Sequence, residues 1–294
     1  EYANFNIQMM NLAGALGFVE APLVVTGGHD QACGALGVGL TAPGLAMVST
    51  GTAEVVEVAL GAPALTDPLY QGNISVYAHT VPDLYLAMTL NHSGGMLLRW
   101  FRDEMAPDLK ARAAAEGVDA YDLMLRDASL EPASLLVLPH FAGSGTPTFD
   151  TESKGAVLGL TFDTGRRDLI QALVEGLTFE LRLNLDLLRE GGVEIDELRA
   201  IGGGARSAFW LQLKADVTGV PVLAPEVTEA AGWGAALLAG AGAGCFSDLS
   251  EAASSSVKFR RRFEPDSDRA ERYGAQYELY RQIYPAVKTI HHQL

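Results

Sequence analysis

"ELRAIGGGARSAFWLQLKADVTG", residues 197–219, begins as a strand-like run, meets three glycines at 202–204 and continues with apolar residues at helical spacing. Residues 220–244, "VPVLAPEVTEAAGWGAALLAGAGAG", repeat that order, with Thr228 expected as the cap of the second helix. Upstream the texture differs. "GLAMVSTGTAEVVEVAL" (44–60) carries β-branched residues on either side of Ser49-Thr50-Gly51-Thr52, the signature of a hairpin. "GNISVYAHTVPDLYLAMTL" (72–90) adds two short strands turning at Pro82-Asp83. Hairpins followed by strand–helix alternation predict an α/β layer architecture with a mixed sheet.

The remaining segments fill out that frame. "APLVVTGG" (21–28) reads as a strand buried on both faces, followed by a helix of small residues over 31–40. Helices are expected near 93–105 and 119–129, and buried strands at 133–141 and 155–160. "RRDLIQALVEGLTFELRLNLDLLRE" (166–190) has the apolar spacing of a long amphipathic helix, and 267–291 that of a helix rich in Tyr and Arg. The first 20 residues hold a helical pattern (Met9, Met10, Leu12, Ala15, Leu16) with no start signal, so the chain reads as beginning inside an element.

Apolar residues make up 48% of the 294 and charged residues 19%, as in a folded chain able to bury a substantial core. The formal charge of −15 disfavours nucleic acid or an anionic membrane as partner, since those need clustered Lys and Arg. The basic run at Lys258, Arg260, Arg261 and Arg262 is short and is expected to be a solvated turn. Cys33 and Cys245 make neither a disulfide framework nor a metal site. No apolar run has the roughly 18 residues of a membrane span, and no basic-then-apolar leader opens the sequence. The expected location is the cytoplasm.

Three short segments share one logic: Ser49-Thr50-Gly51-Thr52 between strands, His92-Ser93-Gly94-Gly95 before a helix, and Gly202-Gly203-Gly204-Ala205 between strand and helix. Glycine permits close backbone approach, and free N–H groups at such bends attract phosphate oxygens. None is a Walker loop, and any one alone is structural more often than functional. Asp30 stands apart, a single carboxylate after Gly27, Gly28 and His29 and ahead of a helix of small residues. Capping that helix is a sufficient structural reason for it.

Taken in order, "GGHDQACGALGVGL", "STGTAEVV", "HSGGMLLRWFRD", "PHFAGSGTPTFDTESKGAVLGL", "RRDLIQALVEG" and "GGGARSAFWLQLKADVTGVPV…TEAAGWGAALLA" strongly resemble the FGGY family of carbohydrate kinases. Members include glycerol kinase, xylulokinase and gluconokinase, and the family belongs to the actin-like ATPase (ribonuclease H-like) fold. The similarity runs from about residue 11 to residue 285. Gly155–Glu175 is similar to the family's second signature, with Leu173 slightly off pattern. By this resemblance Asp30 is the general base that takes the proton of the attacking sugar hydroxyl, compatible with its capping role. Gln31 binds the sugar, and His29 lines the sugar pocket or simply packs. Gly51 and Thr52 match the hairpin that holds the β- and γ-phosphates; the plain alternative is a tight turn. Gly95 and Arg99 match a helix start beside the phosphates, although Arg99 in a surface ion pair is nearly as good a reading. Gly203, Gly204, Ala205 and Ser207 match the adenosine loop, with Trp210 in the core behind it. ATP and Mg2+ are the implied cofactors, the ion held by nucleotide oxygens, waters and carboxylates rather than by a private site. His291 and His292 look incidental.

The sequence also departs from the family. Members carry well over two hundred residues before the aspartate, including an Asp-x-Gly-Thr phosphate loop; here 29 residues precede Asp30 and that motif is absent. The expected organisation is therefore 1–43 as the end of a first, sugar-binding actin-like domain, 44–265 as a complete second, nucleotide-binding domain, and 266–294 as a C-terminal helix. The polypeptide alone is expected to be inactive. The surface facing the first domain should be apolar or covered by a homodimer contact. The alternative function is a non-catalytic actin-fold module that binds nucleotide or a partner chain. Which sugar or polyol is the substrate is not legible, though "GGHDQ" makes a glycerol-type site a poor fit.

Overall fold

In the computed structural model, which describes residues 14–18 and 22–294, helix α1 (Asp30–Gly37) leads into a hairpin of β1 (Leu45–Thr50) and β2 (Glu54–Leu60). The short helix α2 (Asp67–Gln71) precedes a second hairpin, β3 (Ser75–Ala78) and β4 (Tyr85–Asn91), with Asp83 left-handed in its turn. Helices α3 (Gly95–Trp100), α4 (Pro107–Glu116) and α5 (Ala120–Leu125) follow. Strands β5 (Leu136–Leu138) and β6 (Ala156–Leu158) pair only with each other, and the long helix α6 (Arg166–Glu190) comes next. Two strand–helix units succeed it: β7 (Glu197–Gly202) with α7 (Ala208–Thr218), and β8 (Val222–Pro225) with α8 (Ala230–Gly242). The last described elements are α9 (Leu249–Ser256), β9 (Phe259–Phe263), α10 (Ser267–Tyr280) and α11 (Ile283–His291).

The main sheet has seven strands in the order β3-β4-β2-β1-β7-β8-β9. β1, β7 and β8 run parallel, and the hairpins and β9 add antiparallel edges. Alternation along the strands sorts side chains to two faces. Ala46, Val48, Val56 and Val58 pack against Leu181 and Leu185 of α6 and Leu211 of α7. Met47, Ala59 and Leu86 pack on the other face against Ala32 and Ala35 of α1 and Ala230 of α8. A third layer of Tyr273, Tyr277 and Tyr280 from α10 closes over Phe179 of α6.

Several expectations are corrected. Residues 22–28 form no strand, and Leu23 is 67% exposed, because no strand of the sheet borders them to supply ladder hydrogen bonds. The helix expected over 93–105 is interrupted after Trp100 by a wide π turn at 101–105, and Pro107 starts a new one. The strands at 133–141 and 155–160 shrink to three residues each. The basic run is edge strand β9 rather than a turn: Arg260 reaches the Pro225 carbonyl, and Arg261 lies 4.6 Å from the Phe263 ring centroid. Charged side chains on an edge discourage further strand pairing. Thr228 caps nothing, since α8 starts at Ala230 after Glu229. The tail is two helices, not one. His292 hydrogen-bonds Asp150 at 2.7 Å and His291 accepts from the Lys154 N–H, so this pair fastens the tail to the loop before β6. Both cysteines are free. The helical pattern expected over the first 20 residues falls mostly outside the described residues.

Candidate functional site

The three glycine segments, far apart in sequence, meet around the β1–β2 turn. The Gly95 N–H donates to the Gly51 carbonyl at 2.7 Å, and the Gly94 N–H to that of Thr52 at 2.9 Å. Gly202 adopts φ 80°, and a Cβ there would lie 2.6 Å from the Thr50 carbonyl oxygen, so only glycine fits. A Cβ on Gly204 would lie 2.8 Å from Cβ of Thr50. Gly51 itself opens onto space, with no atom within 4 Å of the position a Cβ would take.

Together these segments floor a cleft of about 650 Å³, within the range of small-molecule sites. Gly51, Thr52, Gly95, Arg99, Gly203, Gly204 and Ser207 all line it. Ala205 does not; it is 8% exposed and packs beneath, beside Leu211. Ser207 also caps α7, its Oγ accepting from the Trp210 N–H at 3.2 Å. Trp210 is buried as expected, its indole N–H donating to Thr178 at 3.1 Å, yet its ring edge reaches the cleft. Among the described residues Arg99 makes only a long contact, 3.8 Å, to Asp103. Sequence reading missed Arg206 and the opposite wall of Asp119, Tyr121 and Asp122. Exposed charges there carried no pattern to mark them. The chemistry of the cleft is legible: glycine backbone and two guanidinium groups suit a polyanion, and Trp210, Leu98 and Leu125 suit a flat ring.

His29, Asp30 and Gln31 lie outside that lining. Gly39, just past α1, lies against Arg199, whereas Gly34 lies against Met47 and Ile201. The Asp30 charge acts on Glu57 of β2, and Gly28, two residues before Asp30, lies against Thr80 just past β3. The Asp30 side chain is 71% exposed, with Nε2 of His29 at 3.1 Å from Oδ1. His29, not Asp30, is the N-cap; its Nδ1 accepts from the Gln31 N–H at 3.3 Å, which Asp30 Oδ1 also receives at 2.9 Å. Behind them sits a second acid. Glu57 is fully buried in β2 and accepts the Tyr77 hydroxyl at 2.5 Å. Burial pushes its carboxyl up to about 8, a rise the Tyr77 hydrogen bond opposes and the Asp30 charge reinforces. Among the described residues no group of three or more His, Cys, Asp or Glu is placed to hold a metal, and no helix is long and apolar enough to cross a membrane.

A mixed sheet of this order, covered by helices on both faces and carrying glycine turns at one end, defines a domain of the actin-like ATPase fold. Residues 46–243 match the FGGY family of carbohydrate kinases, C-terminal domain, and the chain belongs to that family. It is similar to the xylulose kinase of Bacillus subtilis (strain 168), 30% identical over 280 residues that cover 95% of this chain and 54% of the relative. It is also similar to the autoinducer-2 kinase of Enterobacter sp. (strain 638), 34% identical, with 91% and 51% covered. Among solved structures, the xylulose kinase from Rhodospirillum rubrum superposes with a TM-score of 0.81 at 25% identity, covering 96% of this chain and 55% of that one. The chain thus spans about half the length of the curated relatives it matches.

Proposed function

We propose that the chain forms the nucleotide-binding half of an ATP-dependent kinase that phosphorylates a hydroxyl of a sugar, polyol or sugar acid in the cytoplasm. The observation that carries this reading is the convergence of three separate glycine turns on one cleft. Gly51 and Thr52 hold the terminal phosphates, Gly95 and Arg99 flank them, and Gly203, Gly204 and Ser207 take the adenosine, with Ala205 packed beneath them. Bound ATP would supply the transferred phosphoryl group, with Mg2+ held by its oxygens and by water. Asp30 accepts the proton of the attacking hydroxyl, which needs a carboxylate within hydrogen-bond reach. Gln31 and His29 border the sugar. In domain terms, 1–43 ends a first, sugar-binding domain, 44–265 is the nucleotide domain, and 266–294 is its C-terminal extension. Calorimetric titration of the chain with Mg·ATP and ADP tests the nucleotide site. In a polypeptide extended by the preceding half found in the relatives, Asp30→Asn should lower turnover by roughly 10²–10⁴-fold while sparing ATP affinity. Unchanged turnover would leave Asp30 only its helix-start contacts.

A further inference from the structure

Directly under the β1–β2 turn, Lys214 of α7 and Glu54 of β2 are 1% and 3% exposed. The Lys214 ammonium donates to Thr50 Oγ1 at 2.7 Å and also to Glu54 Oε2, and the Thr50 hydroxyl donates to that same oxygen at 2.6 Å. The result is a closed triangle of one cation, one anion and one hydroxyl. As a stability device it is poor, because desolvating two charges costs several kcal/mol and an apolar pair of the same volume does as well or better. What a triangle does supply is fixed geometry.

The residue it fixes is the pivot of the cleft. Thr50 ends β1 immediately before Gly51 and Thr52, and its atoms are the ones that Gly202 and Gly204 pack against. Lys214 also sits 5.0 Å from the ring centroid of Trp210, which lines the cleft beside Gly204. We propose that Glu54 and Lys214 are positioning residues that lock the Gly51-Thr52 turn in register with the Gly203-Gly204 turn. They thereby set the spacing between the phosphate and nucleoside ends of the site, an assignment that rests on the nucleotide reading of the cleft. Neither touches the ligand. Their removal selectively weakens ligands that span both turns.

The test compares Mg·ATP with adenosine, titrated calorimetrically into the 294-residue chain and into the Glu54→Gln/Lys214→Met double variant, which leaves no buried charge unpaired. The expected result is an ATP affinity lower by about tenfold or more, with adenosine affinity changed less than about twofold and a cooperative melt retained. A purely structural role moves both ligands together, and a common loss overturns the proposal, as does unchanged ATP affinity. Glu54→Gln alone, which leaves the Lys214 ammonium buried without its carboxylate, should melt below the double variant while showing the same ligand selectivity. If neither variant folds, the pair is a stability device and the proposal fails. If the unaltered chain binds neither ligand, the nucleotide reading itself falls, an outcome distinct from the others.

Discussion

Gly203 and Gly204 are neighbours with opposite tolerances. The nearest atom to a Cβ on Gly203 is 3.9 Å away, whereas one on Gly204 meets Thr50 at 2.8 Å and Trp210 at 3.2 Å. Thr50 cannot yield, being held by Lys214 and Glu54. Gly204→Ala should therefore cost about 1–3 kcal/mol and weaken ATP binding, and Gly203→Ala should leave the melting temperature nearly unchanged; denaturant melts and titration read both. Glu57 makes a second prediction at this scale. Its folded carboxyl titrates near 8, against an ordinary value of 4.5 in the unfolded chain. Between those values the folded state binds more protons, so the stabilising contribution of neutral Glu57 is full below about 4.5 and is lost as pH rises through about 8. The slope is at most about 1.4 kcal/mol per pH unit. Glu57→Gln keeps an acceptor for Tyr77 and should flatten this dependence, being more stable than the native chain at pH 9 but not at pH 5. Equal pH profiles for the two proteins would refute the assignment. Neither Glu57 nor the Glu54–Lys214 pair was legible in the sequence. A charged residue in a string reads as solvated, and only the tertiary contacts show Glu54 and Lys214 buried on one face of the sheet and Glu57 on the other.

At the scale of elements, α1, the helix that begins at Asp30, touches α8 through backbone. A Cβ on Gly37 would lie 1.9 Å from the Ala230 carbonyl oxygen, and one on Gly234 at 1.9 Å from that of Cys33. Gly232, in the same helix, meets nothing within 4 Å. Gly234→Ala should push α1 and α8 apart, lowering stability by about 1–3 kcal/mol or more. Gly232→Ala should raise it by about 0.5 kcal/mol through helix propensity. Chemical denaturation distinguishes the two, and a tolerated Gly234→Ala would contradict the packing described. The same elements show what could be read beforehand. Helix α6 matched residue for residue because its apolar stripe is a local, 25-residue signal, and both hairpins announced themselves through their turns. Residues 22–28 have the composition of a buried strand but no neighbour to pair with, and β9 hid three arginines in an edge. Strands depend on partners in a way helices do not.

For the molecule as a whole, the two halves of the proposed chemistry are unequally provided for. The glycine cleft is lined entirely by residues between Thr50 and Trp210, so the proposed nucleotide site has its lining within this chain. The proposed base is in a different situation: its side chain is 71% exposed, and Leu23 and Val24, shortly before it, are also exposed. A carboxylate open to water gains little from orientation or from exclusion of competing hydrolysis, both of which phosphoryl transfer to a sugar requires. We expect the 294-residue polypeptide to bind ADP yet to show no phosphorylation of ketoses, polyols or aldonates when ADP release is followed by a coupled assay. Sustained, sugar-dependent ADP release by this chain alone, abolished in Asp30→Asn, would mean that the site is complete within these residues and that the exposure of the acid is no obstacle to the reaction.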